Sequence, residues 1–205
     1  MTIAAFRKIA FILLLLSSTS GAFGHESAEL AVTPSVPPRD ETDSAAIREE
    51  IKVFANARIS ARRAIIIAES RGPNAKVVDL SFDGTGSRLA YRVKVLLNED
   101  VWEGAIDATT GAPVDGGSTK PASTLGEDDR TALAAFAAAG MDLSQAITIA
   151  ERYGSGKAVS AGLAHDGAKL ILPVVVISEG ALKGISVEPG EPPAPPHQTS
   201  AREKK

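Results

Sequence analysis

Histidines and closely spaced polar residues are the groups in this chain that could bind a metal ion or move a proton. The three histidines are His25, His165 and His197, far apart in sequence and without a second histidine nearby. A metal site needs several ligands at helical or hairpin spacing, and none of the three has them. The pair His165-Asp166 precedes a glycine, as expected of a hairpin turn rather than of a catalytic pair. We therefore predict no metal site and no cofactor.

Other motifs that could indicate catalysis have simpler explanations. The chain has no cysteine, which excludes thiol chemistry. Gly84-x-Gly86 lies between two predicted strands and lacks the helix and the Lys-Ser/Thr of a phosphate loop, so it predicts a turn. Glu127, Asp128 and Asp129 begin a predicted helix, where carboxylates favour the positive end of the helix dipole. We predict that the protein is not an enzyme.

The N-terminus has the three parts of a secretory signal peptide. Arg7 and Lys8 precede the apolar run 9–16, and the small residues of 17–24 follow. The apolar run is shorter than the 20 or so residues that cross a bilayer. We therefore predict a signal peptide over 1–24, cleavage before His25, a periplasmic or secreted location, and no membrane span after cleavage.

The composition of the rest of the chain is that of a globular acidic protein. Hydrophobic residues make up 44% of the sequence and charged residues 23%, which is enough to build a core. Without Arg7 and Lys8 the 22 basic residues fall to 20 against 25 acidic ones, a net charge of −5. Nucleic acid is excluded as an expected partner, because binding to phosphates requires a clustered basic surface.

The sequence contains an internal repeat at an offset of 82 residues. Residues 51–72 match residues 133–154 with 9 identities in 22 positions, including Phe54 with Phe136 and Glu69 with Glu151. A match of this kind predicts two copies of one structural unit.

Each copy is predicted to begin with helices. Ser60 and Asp142 are predicted N-cap residues, and Asp142 forms a capping box with Gln145. Gly72 and Gly154 are predicted to take the left-handed conformation that ends the helices that follow these caps. The segments 44–57 and 128–139 predict one further helix in each copy.

Alternating hydrophobicity then predicts three antiparallel strands in each copy. The predicted strands are 76–82, 88–97 and 101–107 in the first copy and 159–163, 169–177 and 181–187 in the second. In the first copy the predicted turns are 83–86 and 98–100, and Arg92 and Lys94 alternate with buried positions. In the second copy the predicted turns are 165–167 and 179–180.

The strand 169–177 is apolar on both faces, with Val174 and Val176 on one and Val175 and Ile177 on the other. Pro173 predicts an edge strand or a bulge there. Two interpretations stay open for the second apolar face. It packs against the first copy, or it binds a partner or a ligand.

Several stretches of the first copy resemble the PepSY domain, a small extracytoplasmic module found in propeptides of thermolysin-type metallopeptidases and in many short secreted bacterial proteins. The resemblance rests on Ile59-Ser60 with 64–69, on 88–95, and on 101–103 leading to Asp-Ala-Thr-Thr-Gly at 107–111. It covers roughly 58–115 and, more weakly, 141–190, where the second copy departs from the pattern at Pro173 and at 186–190. It implies a helix packed on an antiparallel sheet, cystatin-like in layout, with a role in binding and restraining peptidases and no catalytic residues.

Together these observations predict an α+β protein of two tandem helix-plus-antiparallel-sheet units, PepSY-like and half-cystatin-like. The predicted segments are a signal peptide at 1–24, a disordered linker at 25–43, a first unit at 44–115, a linker at 116–127, a degenerate second unit at 128–188, and a disordered proline-rich tail at 189–205.

The predicted function is that of a non-enzymatic exported binding module whose partner is a protein, and the resemblance implies that it inhibits or modulates an extracytoplasmic peptidase. Arg92, Lys94 and Trp102 are the candidate partner-binding residues, with a core position for Trp102 as the alternative. The alternative function is a periplasmic carrier of a small apolar ligand, bound by the strand 169–177. The sequence leaves the oligomeric state and the packing of the two units open.

Overall fold

The structure is a computed structural model that describes residues 32–34, 41–85, 87–166 and 169–190. The predicted signal peptide at 1–24 lies outside the described residues, as do His25, His197 and the predicted tail beyond Gly190.

Four α-helices occur in the described chain, in two pairs. They are α1 (Glu41–Phe54), α2 (Ala61–Glu69), α3 (Glu127–Ala138) and α4 (Leu143–Gly154). The predicted caps are confirmed: the Ser60 hydroxyl accepts from the amide of Arg63, and Asp142 and Gln145 form the capping box. These caps satisfy amides that have no partner within the helix.

The strands form one antiparallel sheet, so the protein is α+β. They are β1 (Val32–Pro34), β2 (Lys76–Asp83), β3 (Ala90–Leu97), β4 (Asp100–Asp107), β5 (Ser118–Pro121), β6 (Lys157–Ala161), β7 (Ala164–Asp166), β8 (Lys169–Ser178) and β9 (Ala181–Val187). Eight of them follow the order β1-β9-β8-β6-β2-β3-β4-β5, and β7 pairs with β8 beside that path.

The middle of the sheet joins the strands that follow α2 to those that follow α4. β2 and β6 pair there through Leu80 with Ala161 and Ser81 with Ser160. α2 packs on β2, β3 and β4, and α4 packs on β6, β8 and β9. α2 and α4 cover one face of the sheet, called here the helix face. The opposite face is called the outer face, and α3 lies beside Lys76 and Leu96 at the end of that face. One hydrophobic cluster runs along the helix face through both groups of strands.

The predicted glycine ends of α2 and α4 are wrong. Gly154 is the last residue of α4, and the left-handed conformation belongs to Ser155, with φ of 49°. After α2 it belongs to Asn74 rather than Gly72, with φ of 59°. Glycine is needed at 154 for close contact, since a Cβ there would lie 2.6 Å from a methyl of Val176 and 2.7 Å from one of Ile185.

The two predicted linkers contain regular structure. β1 and the first residues of α1 lie within 25–43, and β5 and a 3-10 helix (Ala122–Thr124) lie within 116–127. Both strands are short, polar or proline-containing edge strands, which carry little hydrophobic alternation for a sequence pattern to detect.

Two predictions for the second copy also differ from the structure. His165, predicted in a turn, lies in β7 and pairs with Leu170. Pro173 lies in a strand that is interior rather than at an edge, because β8 has β6 on one side and β9 on the other. Its missing N–H is tolerated because Pro173 stands where β6 ends and β7 begins, and its carbonyl accepts from the amide of Gly162.

Among the described residues, no single helix is long and apolar enough to cross a membrane. α3 and α4 reach that length and composition only when taken together, across a bend of 88°.

Candidate partner-binding surface

Strand register places Arg92 and Lys94 side by side on the outer face. Arg92 stands between Ser81 of β2 and Ala105 of β4, and Lys94 stands between Asp79 and Glu103. Directly opposite residues in an antiparallel pair point to the same face, so all six side chains share the outer face. The side chain of Arg92 is 54% exposed and that of Lys94 is 45% exposed. The predicted outward orientation of the two basic residues is confirmed.

Neighbouring carboxylates hold both basic side chains. Nε of Arg92 lies 2.7 Å from Oδ2 of Asp83, and Nζ of Lys94 lies 3.6 Å from Oδ2 of Asp79. A third pair on this face joins Nζ of Lys120 to Oε1 of Glu103 at 2.8 Å. The basic groups therefore stand in a fixed arrangement of alternating charge.

The carboxylates respond to these contacts in opposite ways. Burial by itself would raise the pKa of Asp83, but hydrogen bonds from the hydroxyl and amide of Thr85 and from Arg92 outweigh it and hold the pKa below its usual value. Loss of hydration raises the pKa of Asp79, and the Lys94 ammonium only partly offsets that rise. Asp83 therefore stays ionised to a lower pH than Asp79 does.

Trp102 lies on the helix face, away from Arg92 and Lys94. It pairs with Val95 of β3, and only 4% of its surface is exposed. Its indole Nε1 donates to the carbonyl of Gly116 at 3.1 Å, and the guanidinium of Arg71 lies 3.6 Å from the ring centroid. The structure does not bring the three predicted residues together, and Trp102 takes the core position that was the alternative.

A turn length explains this difference. The predicted turn 98–100 has three residues and would set Trp102 opposite Leu96, on the outer face. The observed turn has two residues, with Leu97 opposite Asp100, and it sets Trp102 opposite Val95. A shift of one residue in register moves every side chain of a strand to the other face. Asn98 at φ of 57° begins this turn, and asparagine tolerates that conformation well.

An apolar area continues the outer face beyond β6. The register joins Arg92, Ser81, Ser160, Val175 and Gly184 into one row across five strands. Val175 of this row and its neighbours Pro173, Ile177 and Leu182 are half-buried on the same face. The doubly apolar strand is thus interior to the sheet, and Pro173, Val175 and Ile177 remain half-buried on its outer face.

Two open clefts flank α3. The larger, of about 640 Å³, is lined by Leu96, Pro121, Leu133 and Ala137, with Asp100 and Arg130 at polar positions. The smaller cleft, of about 380 Å³, has Ala138 of α3 on one side and Leu170 and Pro189 on the other. The strand 169–177 contributes Lys169 and Leu170 to the smaller cleft, and Pro173, Val175 and Ile177 line neither of the two clefts.

His165 is the one histidine in the part of the chain that the structure describes. No group of three histidine or carboxylate side chains converges there. Nε2 of His165 is buried and has no hydrogen-bond partner among the described residues. His165 lies in β7, opposite Leu170 of β8.

Comparisons with known proteins identify no family. No family model matches the chain, and no curated protein matches it. A solved structure from Clostridium difficile, described as "a putative lipoprotein", is similar over 68% of this chain and 91% of that one, with a TM-score of 0.39 and 19% sequence identity. A likeness of that degree carries no argument about function.

Proposed function

We propose that this protein is a non-enzymatic binding module, exported by its predicted signal peptide to the periplasm or beyond, which holds a protein partner on the outer face of its sheet. The observation that carries the proposal is the row through Arg92, Ser81, Ser160 and Val175, which joins a charged area to an apolar one on the face opposite α2 and α4. Interfaces commonly combine apolar contact with an arginine anchor.

The ion pairs support this role for Arg92 and Lys94. A side chain that is already held by a carboxylate loses less conformational freedom when a partner binds, and that lowers the cost of association. Asp83 and Asp79 hold the two basic groups at fixed positions, 2.7 Å and 3.6 Å away. A partner that presents carboxylates or carbonyl groups is complementary to them.

Equivalent contacts in the two halves support two PepSY-like units in tandem. Oε1 of Glu69 accepts from the amide of Val77 at 3.0 Å, and Oε1 of Glu151 accepts from that of Ala158 at 3.0 Å. In each half the glutamate near the helix end thus holds the start of the first strand. The PepSY-like units in turn support an extracytoplasmic peptidase as the partner, which the module restrains.

A capture experiment with matched variants tests the proposal. Three forms of the protein serve as bait: the wild type, a variant with Arg92→Glu and Lys94→Glu, and a control variant. The control variant carries Arg58→Glu and Arg63→Glu, at two exposed basic residues outside the sheet. Both double variants change the net charge equally. We expect an envelope peptidase retained by the wild type and the control and lost from the Arg92, Lys94 variant, and we expect the captured peptidase to be inhibited when purified protein is added. A partner retained equally by both variants, or no selective partner, contradicts the proposal.

A second candidate function is the carriage of a small apolar ligand, and the larger cleft favours it. Its volume of about 640 Å³ lies in the range of small-molecule sites, and leucine, alanine and proline side chains contribute much of its lining. Native mass spectrometry of purified protein would show a bound molecule, and Ala134→Trp, which fills the cleft, would remove it. A spectrum with the mass of the polypeptide alone contradicts this candidate.

A further inference from the structure

The solvent-facing surface of α2 and α4 differs in charge from the rest of the molecule. This α2–α4 surface, formed by residues 58–71 and 142–157, carries six basic residues and three acidic ones. Its net charge is therefore +3, in a predicted mature chain whose net charge is −5. The six basic residues are all exposed: Arg58, Arg62, Arg63, Arg71, Arg152 and Lys157. Positive charge is concentrated on one side of an acidic protein.

The three acidic residues of the α2–α4 surface are held by the fold. The carboxylates of Glu69 and Glu151 each accept from an amide at the start of the first strand of their own half, at 3.0 Å. The carboxylate of Asp142 caps α4. All three residues are half-buried, whereas the basic ones are exposed, so the charge that this surface presents to solvent is mainly positive.

The same surface carries exposed apolar side chains. Among the residues that the structure describes, Ile66 and Tyr153 are the large hydrophobic ones that stay exposed, at 49% and 56%. Ile66 lies in α2 one turn after Arg62 and Arg63, and Tyr153 lies in the last turn of α4 beside Arg152. Cationic and apolar groups on one helical surface are typical of proteins that lie on a membrane, and tyrosine is enriched at the membrane interface.

α2 and α4 present these side chains together. Nε of Arg62 donates to the hydroxyl of Ser144 at 3.3 Å, which shows that the two helices lie side by side. Each helix buries its opposite face on the sheet, where Ile65 of α2 and Ile147 of α4 are fully buried. The exposed faces of both helices therefore point away from the sheet, on the side of the molecule opposite Arg92.

We propose that the α2–α4 surface binds an anionic phospholipid bilayer, with its arginines on the lipid phosphates and Ile66 and Tyr153 in the interfacial layer. The inference goes beyond the outer-face function and uses residues on the opposite side of the molecule. Arginine suits the lipid phosphates because its planar group donates several hydrogen bonds to one anion. The exposed isoleucine favours a bilayer over nucleic acid, because a bilayer removes it from water. In this orientation the outer face points away from the bilayer and stays open to a protein partner.

Vesicle sedimentation tests the proposal. The protein used is residues 25–205, which contain every described element and omit the predicted signal peptide, itself basic and apolar. One set of vesicles contains phosphatidylglycerol and phosphatidylcholine in equal parts, and the other contains phosphatidylcholine alone. At about 50 mM NaCl we expect at least about tenfold tighter binding to the anionic vesicles, and release from them at about 500 mM NaCl. No binding to the anionic vesicles, equal binding to both sets, or binding to a DNA duplex in place of vesicles overturns the proposal.

Matched variants locate the site. Arg63→Gln with Arg152→Gln removes two charges from the α2–α4 surface, and Lys120→Gln with Lys169→Gln removes two from exposed lysines of strands. We expect the arginine variant to bind the anionic vesicles about tenfold more weakly or worse, and the lysine variant to bind them nearly as the wild type does. Equal loss in the two variants, or no loss in a folded arginine variant, overturns the proposal.

A tryptophan at position 153 gives an independent test. In Tyr153→Trp the new indole stands on the α2–α4 surface, while Trp102 is 4% exposed and gives the background signal. We expect vesicles of phosphatidylglycerol with brominated acyl chains to quench the variant and not the wild type, because bromine quenches an indole only at short range. Unquenched Tyr153→Trp on bound vesicles overturns the proposal.

The vesicle assay also separates this site from the outer-face function. Arg58→Glu with Arg63→Glu should release the protein from anionic vesicles and yet retain the captured peptidase, because the two surfaces lie on opposite sides of the sheet. Vesicle binding by this variant as tight as that of the wild type overturns the proposal.

Discussion

At the scale of single residues, two arginines show two uses of a charged side chain, an ion pair and a contact with an aromatic ring. Arg92 is held by Asp83 on the outer face, while Arg71 lies 3.6 Å from the centroid of the Trp102 ring. The sequence predicted the first position, because Arg92 alternates with buried residues in a clear pattern. It could not predict the second, because Arg71 follows a helix and meets Trp102 only through the tertiary fold.

The pair of Asp83 and Arg92 should make stability depend on pH. The pKa of Asp83 is lower in the folded protein than its usual 3.8, so its contribution is present above 3.8 and is lost as pH falls through the folded value. Because Arg92 is half exposed, the contribution should be only about 0.5 to 1 kcal/mol. Urea unfolding of wild type and Asp83→Asn between pH 2 and 7 measures it. A difference in unfolding free energy between wild type and Asp83→Asn that persists at pH 2 would contradict this account. An equal difference between wild type and Glu99→Gln would contradict it as well.

At the scale of elements, helices were predicted better than register. The stripe of apolar residues and the caps at Ser60 and Asp142 are local signals, and α2 and α4 begin where those signals place them. The register of β3 and β4 depends instead on one residue of turn length at Asn98, which hydrophobic alternation does not report. β1 and β5 were missed because they are short strands at the margins of the sheet with little hydrophobic alternation.

Packing of α4 on the sheet requires glycine at its last position. Gly154→Ala would set a methyl group 2.6 Å from Val176 and 2.7 Å from Ile185, both buried. Overpacking of this kind costs about 1 to 3 kcal/mol, which exceeds the better helix propensity of alanine. Chemical denaturation measures the loss. Gly116→Ala, where a Cβ meets no atom within 4 Å, is the matched control. Equal stability of the two variants would show that α4 does not need this close approach.

At the scale of the whole molecule, one sheet and one core join the two halves of the chain. β2 and β6 meet at Leu80 and Ala161, both buried, and the core cluster includes Ile65 of α2 and Ile147 of α4. The sequence predicted a repeat but could not show how its copies pack, since the β2–β6 contact involves few residues and no distinctive pattern. The outer apolar side chains of β8 belong to this shared sheet.

Shared packing should make the described fold unfold as one cooperative unit. Ile147→Ala in α4 should lower stability by about 2 to 5 kcal/mol. The fluorescence of Trp102, the sole tryptophan and a residue of β4, should report the same midpoint as circular dichroism. Ile66→Ala, at a position 49% exposed, should change little. A Trp102 transition unmoved by Ile147→Ala would mean that the halves unfold separately.

The margins of the sheet also bear on self-assembly. Growth of a fibril by strand addition requires two available margins in each copy, one to accept and one to offer. In the part of the chain that the structure describes, the two marginal strands are short: β1 has three residues and ends in Pro34, and β5 has four residues and includes Lys120 and Pro121. Short strands that contain proline and lysine resist the addition of a further strand, so we expect the sheet not to extend from copy to copy.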